Sequence, residues 1–243
     1  MLNRKLDRSR LHELAQVWYC TFSKNEFLLP TFRSVLSADE VRRAGRFKFQ
    51  KDRNSFIITR GVLRTLLGGY LELPPSEILL EYTTYGKPYL LDSTLKFNVS
   101  HSGDMAVFAF VLDTEVGVDI EQVKDDFDLM ELARNFFSKH EIAAMENIPE
   151  TDLTRAFYRC WTRKESFIKA EGSGLSFPLD KFAVSLDHDH EATLIQTGWD
   201  LQEKDNWSLY SFLPEQQYIG ALAIRDKSKG IEFANLVDIS TLS

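Results

Sequence analysis

A chain of 243 residues, 44% hydrophobic and 27% charged, is long enough to bury a full core and too apolar to be disordered. Its net charge of −7 argues against a broadly basic nucleic-acid binder, and two cysteines, Cys20 and Cys160, support neither a disulfide framework nor a zinc site. The longest apolar run, residues 105–112, is too short to span a bilayer, and the polar N-terminus carries no hydrophobic signal, so a cytoplasmic, reducing setting is expected.

The charge is uneven. Residues 42–64 hold eight basic residues (Arg42, Arg43, Arg46, Lys48, Lys51, Arg53, Arg60, Arg64) and one acid, Asp52, so this segment is +7 and the remainder −14. Such a segment is either a solvated helix face or the site of a small polyanion.

In chain order, Ser37 to Leu71 reads as one long helix or two. Ser37 caps it with Glu40 three residues on, Phe56, Leu63, Leu67 and Tyr70 form the apolar stripe, and Gly68-Gly69 and Pro74-Pro75 end it. Strands are predicted over 78–84, over 89–90 after the Gly86-Lys87-Pro88 turn, over 97–100, and over 105–112. A strand over 116–120 should pair back on 105–112 as a hairpin across Asp113-Thr114-Glu115. Helical patterns cover 128–137 and 139–146, and after Pro149 a further helix runs through Trp161 to near Gly172. Four strands follow, over 182–186, 192–197, 207–212 and 218–224. The order predicts an α+β fold of two similar halves, residues 1–116 and 117–243, each a long helix on a small antiparallel sheet, although no sequence repeat is visible.

Asp119 and Glu121 flank Ile120 on a strand, so both carboxylates share one face. Side by side they repel unless a cation lies between them, and a hard ion such as Mg²⁺ takes one or two carboxylates together with substrate phosphates. On the helix that follows, Phe157, Trp161 and Ile168 form a narrow apolar stripe with Glu165 inside the arc and Lys164 and Lys169 on its edges. A carboxylate there needs a cation or strong donors. Either a lysine pairs with it or it is a metal ligand at a cleft floor. The segment Asn98-Val99-Ser100-His101-Ser102-Gly103 ends a buried strand with hydroxyls and an imidazole, where ligands are commonly held. The run Asp187-His188-Asp189-His190-Glu191 lies between predicted strands and reads as a turn rather than a metal cluster. No Gly-x-x-x-x-Gly-Lys, Gly-x-Gly-x-x-Gly or Gly-x-Ser-x-Gly motif is present.

Taken in order, Gly86-Lys87-Pro88, Phe97 through Gly103, Gly117-Val118-Asp119-Ile120-Glu121, Phe136-Phe137-Ser138 with Glu141, and Trp161 through Lys169 followed by Glu171 to Leu175 resemble the surfactin-synthetase type of 4′-phosphopantetheinyl transferase. The resemblance runs from about Ser37 to Val184. It implies a monomer of two pseudo-symmetric α/β halves with coenzyme A between them. It also implies transfer of the phosphopantetheine arm to a serine of an apo acyl or peptidyl carrier protein, with adenosine 3′,5′-bisphosphate leaving. On that resemblance Asp119, Glu121 and Glu165 would hold Mg²⁺, with Asp119 also touching the cofactor. Glu165 would accept the serine proton, directly or through water, and Lys169 would stabilise the leaving phosphate. Lys87, Pro88, Ser100 and His101 match positions that contact the nucleotide and its phosphates, and Arg43 matches one that reaches the 3′-phosphate. Family members often carry a hydroxyl where this chain has Phe56. No nucleic acid or membrane is expected as a partner. The rivals are a metal-dependent nuclease and a binder of coenzyme A without turnover. The acidic total charge disfavours the first, and the intact Asp119, Glu121, Glu165 and Lys169 disfavour the second.

Overall fold

A computed structural model describes residues 6–125 and 128–236. The first half comprises β1 (Leu14–Thr21), α1 (Leu29–Val35), α2 (Ala38–Ala44), α3 (Gln50–Leu71), β2 (Glu81–Tyr82), β3 (Pro88–Tyr89), β4 (Leu95–Ser102) and β5 (Met105–Leu112). The second comprises β6 (Val116–Gln122), α4 (Leu129–Phe136), α5 (Lys139–Met145), α6 (Glu150–Glu171), β7 (Phe182–Val184), β8 (Glu191–Ala192), β9 (Leu194–Thr197), β10 (Ser208–Phe212), β11 (Tyr218–Ile224) and β12 (Gly230–Asn235).

One local device appears in both halves. Ser37 and Glu40 form a reciprocal capping box at the start of α2, and Ser138 and Glu141 form the same box at the start of α5. Each glutamate is buried and holds a cation of the next long helix. Glu40 Oε2 accepts from Arg64 Nε at 2.6 Å, and Glu141 Oε2 lies 2.9 Å from Lys164 Nζ. Both long helices are 22 residues and end on a left-handed residue, Glu72 after α3 and Gly172 after α6. The repeat is thus carried by a few buried polar residues, which explains why it escapes notice in the sequence.

Two four-stranded sheets run β12-β1-β5-β4 and β6-β11-β10-β8, so β12 crosses from the second half to the edge of the first half's sheet. Period-two alternation gives each sheet two apolar faces. Ala15, Val17, Val107 and Ala109 meet Val116, Val118, Ile120 and Leu222 in a core between the sheets. On the outer faces, Trp18, Phe108 and Phe110 pack with Leu63 and Leu66 of α3, and Ile219 and Ala223 pack with Phe167 and Ile168 of α6. The layers therefore run helix, sheet, sheet, helix.

The basic segment takes the second of its two readings, two helices, α2 and α3, broken over residues 45–49. Two expectations change. Of residues 78–84 only Glu81–Tyr82 form a strand. The hairpin of 105–112 with 116–120 does not form, because both edges of β5 are already taken by β1 and β4, and β6 pairs antiparallel with β11 instead. Two strands lie outside the predicted set. β1 was not expected, and β12 returns from the C-terminal end to pair parallel with it.

Candidate active site

The alternation of β6 builds the site. Val116, Val118 and Ile120 enter the core between the sheets, which leaves Gly117, Asp119 and Glu121 facing α6. Gly117 lets the helix come close. A Cβ there would stand 2.1 Å from Ser166 O and 2.3 Å from Ala170 N. This contact lays Glu165 and Lys169, one turn apart on α6, over the two carboxylates.

The other wall belongs to β4. At every second position it carries a polar side chain, Asn98, Ser100 and Ser102, turned to β6. Val118 N–H donates to Asn98 Oδ1 at 2.9 Å and Gln122 N–H to Ser102 Oγ at 3.1 Å. Side chains therefore replace a backbone ladder along the seam between the halves. The serines also orient the acids, since Ser100 Oγ donates to Asp119 Oδ1 at 2.8 Å and Ser102 Oγ to Glu121 Oε2 at 2.6 Å. Asn98 and Ser102 lie in the 98–103 segment that the sequence marks as a place for ligands, but only Ser100 and His101 of that segment are assigned there as site residues. The polar alternation along 98–102 was the signal that could have found them.

Neither lysine beside Glu165 pairs with it. Lys164 is fully buried with Glu141 and donates to Leu179 O and Phe182 O. Lys169 Nζ instead lies 2.6 Å from Asp119 Oδ1 and donates to Ser100 Oγ at 2.8 Å. Glu165 Oε1 and Asp119 Oδ2 are buried with no hydrogen-bond partner among the described residues. Burial pushes the Glu165 carboxyl up to about 7, helped by the Asp119 and Glu121 charges and opposed by Lys169. Glu121 is also raised, by burial first and by Asp119 second, against the Ser102 bond and Lys169. Two orphaned carboxylate oxygens with a third carboxylate beside them are a donor set suited to a hard cation. Among the described residues no group of three or more His, Cys, Asp or Glu side chains is gathered to hold a metal as it stands, and Asp119 Oδ1 and Glu121 Oε2 are engaged by Lys169 and the serines.

His101 stands at the exposed end of β4. Desolvation by its surroundings and the Lys169 charge lower its pKa, with Asp119 opposing. Lys87 crosses the seam, its Nζ donating to Ala170 O at 3.1 Å and lying 3.7 Å from Glu115. Burial lowers its pKa. Lys87, Tyr89 and Phe97 line a cleft of about 390 Å³ that ends at Gly172. Pro88 pairs with Tyr82 in the β2–β3 hairpin. Arg43 is exposed in a separate cleft of about 590 Å³, lined also by Arg42, Arg46, Phe47 and Tyr82. The structure thus gathers Ser100, Asp119, Glu121, Glu165 and Lys169, with His101 beside them, and sets Arg43, Lys87 and Pro88 around the hairpin. In the run 187–191, Asp189 clamps Arg159 at 2.6 Å and Arg155 at 3.2 Å of α6, a structural use.

Residues 18–112 match the family described as 4′-phosphopantetheinyl transferase, N-terminal, and residues 115–223 the 4′-phosphopantetheinyl transferase superfamily. The 4′-phosphopantetheinyl transferase HetI of Nostoc sp. is 33% identical over 218 residues, 88% of this chain and 89% of that protein. The chain belongs to the 4′-phosphopantetheinyl transferase superfamily. Further relatives of this transferase are the 4′-phosphopantetheinyl transferase Sfp of Bacillus subtilis and a Xenopus laevis L-aminoadipate-semialdehyde dehydrogenase-phosphopantetheinyl transferase. Sfp is 35% identical over 67% of this chain and 72% of its own, and the Xenopus protein 35% over 76% and 67%. A phosphopantetheinyl transferase moves the phosphopantetheine group of coenzyme A to carrier proteins. Among the described residues no helix of this transferase is long and apolar enough to cross a membrane.

Proposed function

We propose that the seam between the halves is where this transferase moves the phosphopantetheine arm from coenzyme A to a carrier serine, with Mg²⁺ as its metal. The observation that carries this reading is the pair of orphaned buried oxygens, Glu165 Oε1 and Asp119 Oδ2, beside the Lys169 ammonium. Asp119, Glu121 and Glu165 would hold the metal. A bound Mg²⁺ supplies charge neutralisation and polarises the phosphate to be attacked.

The chain's own residues do the rest. The carrier serine Oγ bonds to the β-phosphorus of the pyrophosphate, the bond from that phosphorus to the bridging oxygen breaks, and adenosine 3′,5′-bisphosphate leaves. Glu165 takes the serine proton, directly or through water. Lys169 neutralises the charge that collects on the leaving phosphate. Lys87, Pro88, Ser100 and His101 contact the nucleotide and its phosphates, while Arg43 reaches the 3′-phosphate. In this division the first half, 1–116, serves the nucleotide and the second, 117–243, the metal and the chemistry. One chain supplies both walls, which supports a monomer. Free, buried Cys20 and Cys160 fit a cytoplasmic, reducing compartment.

The test is intact-mass spectrometry of an apo acyl carrier protein and of apo peptidyl carriers after incubation with the transferase, coenzyme A and Mg²⁺. A phosphopantetheine-sized gain that disappears with EDTA or with a carrier Ser→Ala change supports the reading. Carriers that all stay unmodified would overturn it.

A further inference from the structure

The cleft of about 590 Å³ lined by Arg42, Arg43 and Arg46 is also lined by two aromatic rings, Phe47 and Tyr82. Arg42 pairs with Asp39 within α2. Glu40 is taken by Arg64, which also donates to Pro75 O and Ile78 O at 3.0 Å and so is fixed as a structural cation. Arg43 has no carboxylate partner among the described residues. Its guanidinium carbon lies 5.4 Å from the Phe56 ring centroid. Phe56 is itself held. Its ring is 5.4 Å from Phe47, and it packs on the first-half core. Arg53 donates to Phe47 O at 3.3 Å and ties that loop to α3.

The stacking continues to the hairpin. Arg60 stands between Phe56, at 5.9 Å, and Tyr82, at 5.5 Å, and donates to the Tyr82 hydroxyl. Arg60 Nε is 3.4 Å from Glu40 Oε1. A ladder of Arg43, Phe56, Arg60 and Tyr82 therefore runs from α2 across α3 to the hairpin that carries Lys87 and Pro88. Each cation over a ring is attracted by the quadrupole of the ring face, and an arginine keeps its donors free at the guanidinium edge while it stacks. Phe56 has no hydroxyl with which to touch a phosphate. It can act only by fixing the arginine above it.

We infer that Phe56 is a positioning residue for anion recognition: it holds Arg43 over its ring, with the guanidinium carbon 5.4 Å from the centroid, so that the guanidinium edge meets the 3′-phosphate of coenzyme A. This rests on the coenzyme A reading above. A free arginine on a short exposed helix would lose more rotamer freedom on binding, and pre-stacking removes part of that cost.

The test is calorimetric binding of coenzyme A and of 3′-dephospho-coenzyme A to the full chain. Phe56→Leu keeps apolar volume and removes the ring, and it should weaken coenzyme A by roughly two- to fivefold while leaving 3′-dephospho-coenzyme A unchanged. Phe56→Trp should restore the difference between the two ligands. In an Arg43→Gln background, Phe56→Leu should have no further effect. Equal losses on both ligands, no loss, no rescue by Trp, or a Phe56→Leu effect that persists without Arg43 would each overturn the inference while leaving the transferase reading standing. A wild-type chain that did not bind coenzyme A would instead overturn that reading, and this inference with it.

Discussion

Lys169 Nζ sits 2.6 Å from Asp119 Oδ1, with the lysine on the last turns of α6 and the aspartate in the middle of β6. Glu165, one turn back on the same helix, has a buried oxygen with no hydrogen-bond partner among the described residues. Lys169 thus pairs with Asp119 and leaves the Glu165 carboxyl raised. Asp119→Ala should lower transfer by at least a hundredfold, since it removes a proposed metal oxygen and frees Lys169. Carrier modification followed by intact mass at limiting Mg²⁺ checks this, and normal activity there would refute the assignment. Lys169→Ala should lower kcat more than it raises the KM for coenzyme A; a change confined to KM would mean that the lysine binds only the ground state.

The raised Glu165 carboxyl makes a prediction about stability. Its folded-state pKa of about 7 lies above the ordinary value of 4.5, so the folded protein favours the protonated form. That contribution is fully present below about pH 4.5 and is lost as pH rises toward about 7. Glu165→Gln removes the titration, so it should match the wild type near pH 4 and exceed it at pH 8 by on the order of 3 kcal/mol. Urea unfolding at both pH values measures the gap. A gap that does not change with pH would show that Glu165 is not held in its raised state. The same variant should lose transfer, which makes Glu165 a site where stability is sacrificed to chemistry.

Glu165 shows how far the sequence could be read. Its place inside the Phe157, Trp161 and Ile168 arc follows from helix geometry alone, and the shared face of Asp119 and Glu121 from strand alternation. The partners do not follow. Which of Lys164 and Lys169 would serve Glu165 depends on how α5 lies on α6, because Glu141 takes Lys164 from a separate helix, and on how close β6 comes, because Asp119 takes Lys169. Neither packing distance is encoded locally. The mispaired hairpin has the same origin. The short turn at 113–115 favours β5 with β6, but β1, almost a hundred residues earlier, already fills that edge. The parallel pairing of β12 with β1 is non-local again and leaves no short-range trace.

The two capping glutamates should be of similar importance to the fold. Glu141→Ala strands the Lys164 ammonium, fully buried, on the carbonyls of Leu179 and Phe182, and also uncaps Ser138 N–H and Val184 N–H. Losing one partner of a buried pair costs about 3–5 kcal/mol. Glu40→Ala should cost a similar amount by stranding Arg64. Circular dichroism in urea reads both, and a loss below about 1 kcal/mol for either would mean that its pair behaves like a surface ion pair.

Gly117 offers the sharpest separation of geometry from chemistry, because it carries no reactive group at all. A methyl there would collide with Ser166 O and Ala170 N, both backbone atoms of α6, so the helix must move away from β6. Displacing Glu165 and Lys169 by even about 1 Å should reduce kcat/KM on the order of a hundredfold, while the overpacking itself destabilises by only about 1–3 kcal/mol. Gly230→Ala is the control, since a Cβ there would sit 3.7 Å from Leu14 Cβ, an ordinary contact. It should leave both quantities unchanged. The comparison requires transfer rates measured well below each variant's melting temperature, so that an unfolded fraction does not mimic the loss. If Gly117→Ala kept full activity there, α6 would not need to rest on β6 for catalysis, and the close approach of the helix would serve packing alone.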